Sequence, residues 1–210
     1  MALILDIGIG NVGRLSTALS KLSLPFMAIS QPSPTYKDDF LIIPGVGAFG
    51  DLVSLLSSTG LDSFILDWHM NGNKILAICA GFQILFETSQ ESSIPGLSML
   101  PGHFSSFSSL NCPKSLNVGF AASTLYNSTV ATRKSINDNI SANNFYFSHS
   151  FCLPTSSICE LPYTSYYTST KSNVSFVSAL FSGNIYGLQF HPELSHRHGL
   201  SLLKSILSCE

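Results

Sequence analysis

The chain has 210 residues, 45% of them hydrophobic, a formal net charge of −2 and a mean hydropathy of +0.30. That length suits one domain with a proper core, and the charge offers no basic footprint for nucleic acid. The apolar runs are short, well under the ~18 residues of a membrane-spanning helix, and Asp6 interrupts the first, so no signal peptide and no membrane association are expected. Five cysteines, an odd number without framework spacing, fit a reducing, cytoplasmic setting. Charged residues make up only 10%, against ~25% in an average soluble protein, with serine in their place.

The elements alternate in type through the first half. Residues 2–7 form an apolar strand, and 11–22 an amphipathic helix with Val12, Leu15, Leu19 and Leu22 on one face. Pro25 ends it, 26–29 are a second strand, and 30–39, with Pro32 and Pro34, a loop. Strand 40–43 runs into Pro44-Gly45-Val46-Gly47-Ala48-Phe49-Gly50-Asp51, followed by helical material to about residue 70. Strand 75–78 enters Cys79-Ala80-Gly81, and 82–88 read as the next helix. This alternation implies a parallel sheet. From about 100 to 190 the pattern changes to short strands with polar turns, the serine-rich stretch 105–144 is expected to hold loops, and 198–208 close the chain as a helix.

Three segments carry chemistry. A cysteine attacks as thiolate, which a helix N-terminus and a neighbouring histidine both favour. Cys79 sits between an apolar strand and a helix, among small residues that permit a strained nucleophile elbow. A hundred residues on, Ile185-Tyr186-Gly187-Leu188-Gln189-Phe190 is a strand leading to His191-Pro192-Glu193. A thiol, an imidazole and a carboxylate, each at a strand end, are the parts of a nucleophilic triad with Glu193 orienting His191. The glycine-rich loop at 44–51 can turn its N–H groups outward to stabilise an oxyanion, together with the N–H of Ala80. Taken alone that loop reads more readily as an ordinary turn between a strand and a helix. Cys112, Cys152, Cys159 and Cys209 have no such context and read as filler.

Together these segments, with Asp6-Ile7-Gly8-Ile9-Gly10-Asn11 and Phe145-Tyr146-Phe147-Ser148-His149-Ser150, resemble the class I (triad) glutamine amidotransferases. They are most similar to the glutaminase subunit of imidazole glycerol phosphate synthase and cover nearly the whole chain in the family's order. The resemblance implies one amidotransferase domain over 1–210. Its fold would be three-layer, flavodoxin-like α/β: a mostly parallel sheet flanked by helices, with additional antiparallel strands in the C-terminal half. It implies Cys79, His191 and Glu193 as catalytic residues and L-glutamine as substrate. Gly47 and Ala80 would bracket the oxyanion, with Val46 where a peptide flips to complete the hole. Gln83, Glu91, His149 and Ser150 would bind substrate, and Asn11, Gly119, Phe120 and Tyr146 would face a partner. That partner would be a cyclase subunit that takes up the ammonia and makes imidazole glycerol phosphate and AICAR in histidine biosynthesis. No cofactor and no metal are implied.

The chain departs from the family at Ala80, where leucine is usual, and at Ser115-Leu116-Asn117-Val118-Gly119-Phe120-Ala121, where Pro-His-Met-Gly-Trp-Asn is usual. The second departure keeps open a different ammonia-accepting synthase, such as one amidating surface-polysaccharide sugars. A cysteine hydrolase or peptidase of the same fold, or a non-catalytic partner subunit, is the remaining alternative. Gly8-Ile9-Gly10-Asn11-Val12-Gly13 also spells a dinucleotide fingerprint, but the second strand ends in Ser30-Gln31 without the acid that would hold a ribose. His196-Arg197-His198 lacks the companions of a zinc set, and His69 and His103 read as surface residues.

Overall fold

The computed structural model describes residues 1–8, 10–32, 40–128, 134–157 and 164–208. The first half runs β1 (Ala2–Leu5), α1 (Val12–Lys21), β2 (Phe26–Ile29), β3 (Phe40–Ile43), α2 (Phe49–Thr59), α3 (Leu61–Met70), β4 (Lys74–Ile78), α4 (Ala80–Gln83) and β5 (Phe86–Ser89). There follow β6 (Leu100–Ser106), β7 (Asn117–Ala122), β8 (Thr124–Ser128), α5 (Lys134–Ser141), β9 (Asn144–His149) and β10 (Phe151–Cys152). The chain then continues through β11 (Thr164–Lys171), β12 (Val174–Ser182), β13 (Ile185–Leu188), a 3-10 turn (Pro192–Leu194) and α6 (His196–Leu207).

The main sheet has the order β2-β1-β3-β4-β13-β12-β11-β8. Its first five strands are parallel, and β12, β11 and β8 extend it antiparallel. Strand alternation sends side chains to two faces. Ile4, Ile42, Leu76 and Ile78 meet Leu15 and Leu19 of α1, Ile136 and Ile140 of α5, and Leu202, Leu203 and Ile206 of α6. Leu3, Leu41, Ile43, Ile75 and Ala77 meet Leu52 and Leu56 of α2 and Ile65 and Trp68 of α3 on the other. Both faces of the central strands are covered, which is why they read as unbroken apolar runs. The result is the three-layer α/β fold with antiparallel strands added late. No single helix among the described residues is long and apolar enough to cross a membrane.

Four expectations need correction. The strand 2–7 ends at Leu5. The helix 82–88 is instead one turn, α4, followed by β5, which pairs with β6 in a three-stranded side sheet with β10. Phe82 and Phe86 point into the apolar core there, so burial rather than helix propensity decides the segment. Within 105–144 the chain forms β7, β8 and α5 and finishes β6, because Phe107, Ile136 and Ile140 supply buried anchors that sparse charge patterning hides. His69 is half-buried rather than a plain surface residue, its carbonyl accepting from Asn184 Nδ2 at 3.1 Å, while His103 is exposed. Residues 33–39 of the expected loop, Ile9, Cys159 and Cys209 lie outside the described residues.

Candidate active site

Parallel strands bring their C-terminal ends to one edge of the sheet, and the chemistry-bearing segments collect there. Ile78 of β4 pairs with Leu188 of β13, and the Cys79 N–H donates to the Leu188 carbonyl at 2.7 Å. Cys79 therefore begins the turn after β4 just where β13 leads on to His191. The elbow is tight: Cys79 has φ 54° and ψ −112°, an uncommon conformation for a residue with a Cβ. The neighbouring turns touch main chain to main chain. A Cβ on Gly81 would lie 2.2 Å from the Ile43 carbonyl oxygen, and one on Gly45 would lie 2.0 Å from the Gly81 nitrogen. Only glycine lets the loop after β3 lie against the elbow, which brings Val46 and Gly47 beside Cys79.

Cys79 is 5% exposed and His191 3%. His191 Nδ1 bonds Glu193 Oε1 at 2.8 Å, which leaves Nε2 free for the neighbouring Cys79, whose thiol donates to the Ser148 carbonyl at 3.8 Å. Burial by itself would pull this imidazole down, but the bonds and charges of Cys79 and Glu193 outweigh it and raise it to about 10. The histidine is held on its main chain as well. Its N–H donates to the Tyr146 carbonyl at 2.8 Å, while the fully buried Ser195 hydroxyl donates to the His191 carbonyl at 2.6 Å and accepts from the Tyr146 N–H at 2.9 Å.

A cavity of about 270 Å³ opens at the thiol. Nine of the residues expected at the site line it: Cys79, His191, Val46, Gly47 and Ala80, with Gln83, Glu91, His149 and Ser150. Glu193 stands behind His191. Gln83 Nε2 donates to the Phe151 carbonyl at 3.3 Å and to Gln189 Oε1 at 3.2 Å, and Gln189 Nε2 lies 3.8 Å from the Cys79 sulfur. Glu91 Oε2 accepts from the Phe49 N–H at 2.9 Å, so it caps α2 while facing the cavity. His149 is the second buried imidazole. Desolvation lowers it to about 4, against the pull of its hydrogen bond to the Phe151 carbonyl. Its Nδ1 lies 2.7 Å from that carbonyl and its Nε2 2.9 Å from Asn117 Nδ2, a pattern that satisfies the neutral ring at both nitrogens.

The residues expected at a partner surface sit outside the cavity. Leu116, Val118 and Phe120 are 53%, 54% and 50% exposed and form an apolar ridge that begins at the cavity, which Leu116 also lines. Phe120 packs on Tyr146 and stacks on His196, and Gly119 between Val118 and Phe120 has φ +125°. Asn11 precedes α1, its side chain making no cap hydrogen bond. Sequence reading missed Ser195 and Asn117, which hold the two histidines, and Gln189, which lies against Gln83 and the Cys79 sulfur. Gln189 and Ser195 flank the His191-Pro192-Glu193 motif, but their burial is visible only in the fold. Cys112 and Cys152 are buried away from this cavity, and burial pushes the Cys152 thiol up to about 12.

The sequence profile of class-I glutamine amidotransferases matches residues 3–207. The chain belongs to that family. It is 37% identical over 209 residues to imidazole glycerol phosphate synthase subunit HisH of Halalkalibacterium halodurans, covering 96% of this chain and 92% of that one. It is 31% identical over 208 residues to the imidazole glycerol phosphate synthase hisHF of Arabidopsis thaliana, where the match covers 97% of this chain and 33% of the relative. The fold superposes with a TM-score of 0.69 on a glutamine amidotransferase crystal structure at 14% identity, covering 98% of this chain and 96% of that one. A similar superposition, TM-score 0.66 at 17% identity, holds for PurLQS from Thermotoga maritima, over 98% and 96% of the two chains. At those identities the two structures speak for the fold alone.

Proposed function

We propose that this chain is the glutaminase subunit of an imidazole glycerol phosphate synthase, a single amidotransferase domain that releases ammonia from L-glutamine for a cyclase subunit. The observation that carries the reading is the closed relay Cys79–His191–Glu193 at a cavity lined by Gln83 and Glu91. Cys79 as thiolate attacks the side-chain amide carbon, and a C–S bond forms. The oxyanion is held by the N–H groups of Gly47 and Ala80, the latter at the start of α4 where a helix leaves its N–H groups unpaired. Turning of the peptide at Val46 completes that hole. His191 passes its proton to the amide nitrogen, the C–N bond breaks, and ammonia leaves. Water then attacks the thioester while His191 takes its proton, the C–S bond breaks, and glutamate departs with the thiolate restored.

Each remaining residue has a part in holding substrate. Glu91 keeps one carboxylate oxygen for the substrate ammonium, the other being taken by the Phe49 N–H. Gln83, His149 and Ser150 form the walls. His149 acts as a neutral donor–acceptor rather than as a cation, in keeping with its lowered basicity. Because only one helical turn follows Cys79, thiolate formation rests on His191 far more than on a helix dipole. The apolar ridge Leu116–Val118–Phe120, with Asn11, Gly119 and Tyr146 near it, is where the cyclase would dock and receive ammonia. The Arabidopsis relative, in which the matching stretch is a third of a longer synthase chain, fits a unit that works against a second one.

The test is glutamate release from L-glutamine by the purified chain, with and without the cyclase of the same genome and its nucleotide substrate. Stimulation by the cyclase, lost in Cys79→Ala, is the expected result. Turnover that depends on Cys79 but ignores the cyclase would keep the glutaminase and point to another ammonia-accepting synthase, the reading that the unusual 115–121 segment favours. Turnover that survives Cys79→Ala would sink the mechanism.

A further inference from the structure

Glu193 uses one carboxylate oxygen on His191 and has the other stranded. The side chain is 4% exposed, and Oε2 is fully buried with no hydrogen-bond donor among the described residues. A buried carboxylate oxygen without a donor is costly, and at a site that must hold an imidazole in one orientation it is also imprecise. Glu193 borders another cavity, of about 300 Å³, which shares no lining residue with the substrate cavity. Arg14, Thr17 and Lys21 of α1 form one of its walls, and His196 and Leu200 of α6 contribute to another.

We infer that Arg14 is a positioning residue of the triad, its guanidinium reaching through this cavity to donate to Glu193 Oε2. Several observations select it over the other basic side chains there, Lys21 and His196. Helix α1 packs directly on the 3-10 turn that carries Glu193. β1 is parallel to β3, and β3 to β4, and β4 to β13, so α1 starts at the sheet edge where Cys79 and His191 stand. Arg14 is in its first turn, whereas Lys21 is in its last turn, about 10 Å further along the axis and away from that edge. His196 is already stacked on Phe120, with ring centroids 5.4 Å apart. Arg14 is exposed and has no ion pair among the described residues, and its planar fork suits a carboxylate. With Arg14 in place the carboxylate shares its charge between two cations. Its hold on the imidazolium weakens, and His191 gives up its proton more readily to the leaving nitrogen.

The inference rests on the glutaminase reading for its purpose, but its test does not need turnover. The titratable groups facing His191 are Cys79 from the turn after β4, Glu193 from the 3-10 turn, and Tyr146 and His149 from β9, with Lys21 and His196 in the cavity behind. The full chain carrying Cys79→Ala, which leaves Glu193 as the one anion on the ring, is labelled at histidine, and the His191 ring is titrated by NMR. Adding Arg14→Gln is expected to raise the midpoint by about half a pH unit, the effect of removing a partly screened cation a few ångströms away. Arg14→Lys is expected to restore at least half of that shift, and Lys21→Gln to leave the midpoint in place. An unmoved midpoint in Arg14→Gln, or an equal shift in Lys21→Gln, would overturn the assignment. Glutamate release with Cys79 intact is measured separately, so an inactive chain that still shows the Arg14 shift would remove the proposed function and leave this inference standing.

Discussion

Two imidazoles line one cavity, both more than nine-tenths buried, and they move in opposite directions. His149 falls to about 4 and His191 rises to about 10. Burial pulls both down, so burial is not what separates them. The difference lies in the partners. His149 meets a carbonyl and an amide, which suit a neutral ring, while His191 meets a thiol and a carboxylate, which suit a cation. One wall of the cavity is thus built to stay uncharged and the other to hold a charge, although both histidines look equally buried.

The largest expected break of this contrast is at the charged wall. Cys79→Ala should abolish glutamate release, a loss on the order of 10³-fold or more, with the thermal melt unchanged. Glu193→Gln removes the carboxylate while keeping the shape. Turnover should drop by about 10²–10⁴-fold, and the His191 midpoint in NMR should move down, narrowing its distance from His149.

The pH dependence of stability separates the same two residues. His191 is raised above its ordinary value of 6.5, so its contribution is fully present below pH 6.5 and is lost as pH climbs toward about 10. His149 is lowered, so its contribution is present above pH 6.5 and is lost as pH falls toward about 4. In the acid window only His149 of this pair changes its protonation on unfolding. Replacing it in His149→Gln should flatten urea-derived stability between pH 6.5 and 4, where the parent chain loses up to about 3 kcal/mol from this group. A parent curve and a variant curve that run parallel would show that the neutral wall is not neutral by construction.

Smaller effects test the scaffold and the rim. Gly81→Ala drives a Cβ into the Ile43 carbonyl, and a loss of about 3 kcal/mol is expected in chemical denaturation. Phe120→Ala trims a half-exposed ring on the ridge. It should cost stability less than about 1 kcal/mol, leave basal turnover alone, and weaken cyclase binding measured by titration calorimetry.

The cores explain what was legible. Strands β1, β3 and β4 are covered on both faces, so their apolar runs could be read directly, and Gly45, Gly81 and Cys79 mark sharp turns at their ends. The short α4 and the strand β5 could not be read, because Phe82-Gln83-Ile84-Leu85-Phe86 suits a helix as well as a strand, and packing on Phe104 decides between them. The 105–144 stretch hid its elements for a related reason. Its polar residues are serines and asparagines, which mark turns by habit, whereas here they alternate with a few buried anchors, Phe107, Ile136 and Ile140.

The sequence by itself determined the parallel core, the order of its turns and which thiol, imidazole and carboxylate could form a relay, since each depends on residues adjacent in the chain. Only the tertiary structure decided how those groups are tuned. Gln189 beside the sulfur, Ser195 clamping His191 to β9 and Asn117 bonded to the His149 ring are long-range meetings. A charge in a dry site responds to what lies within a few ångströms, and those neighbours are set by the packing of strands and helices far apart in sequence.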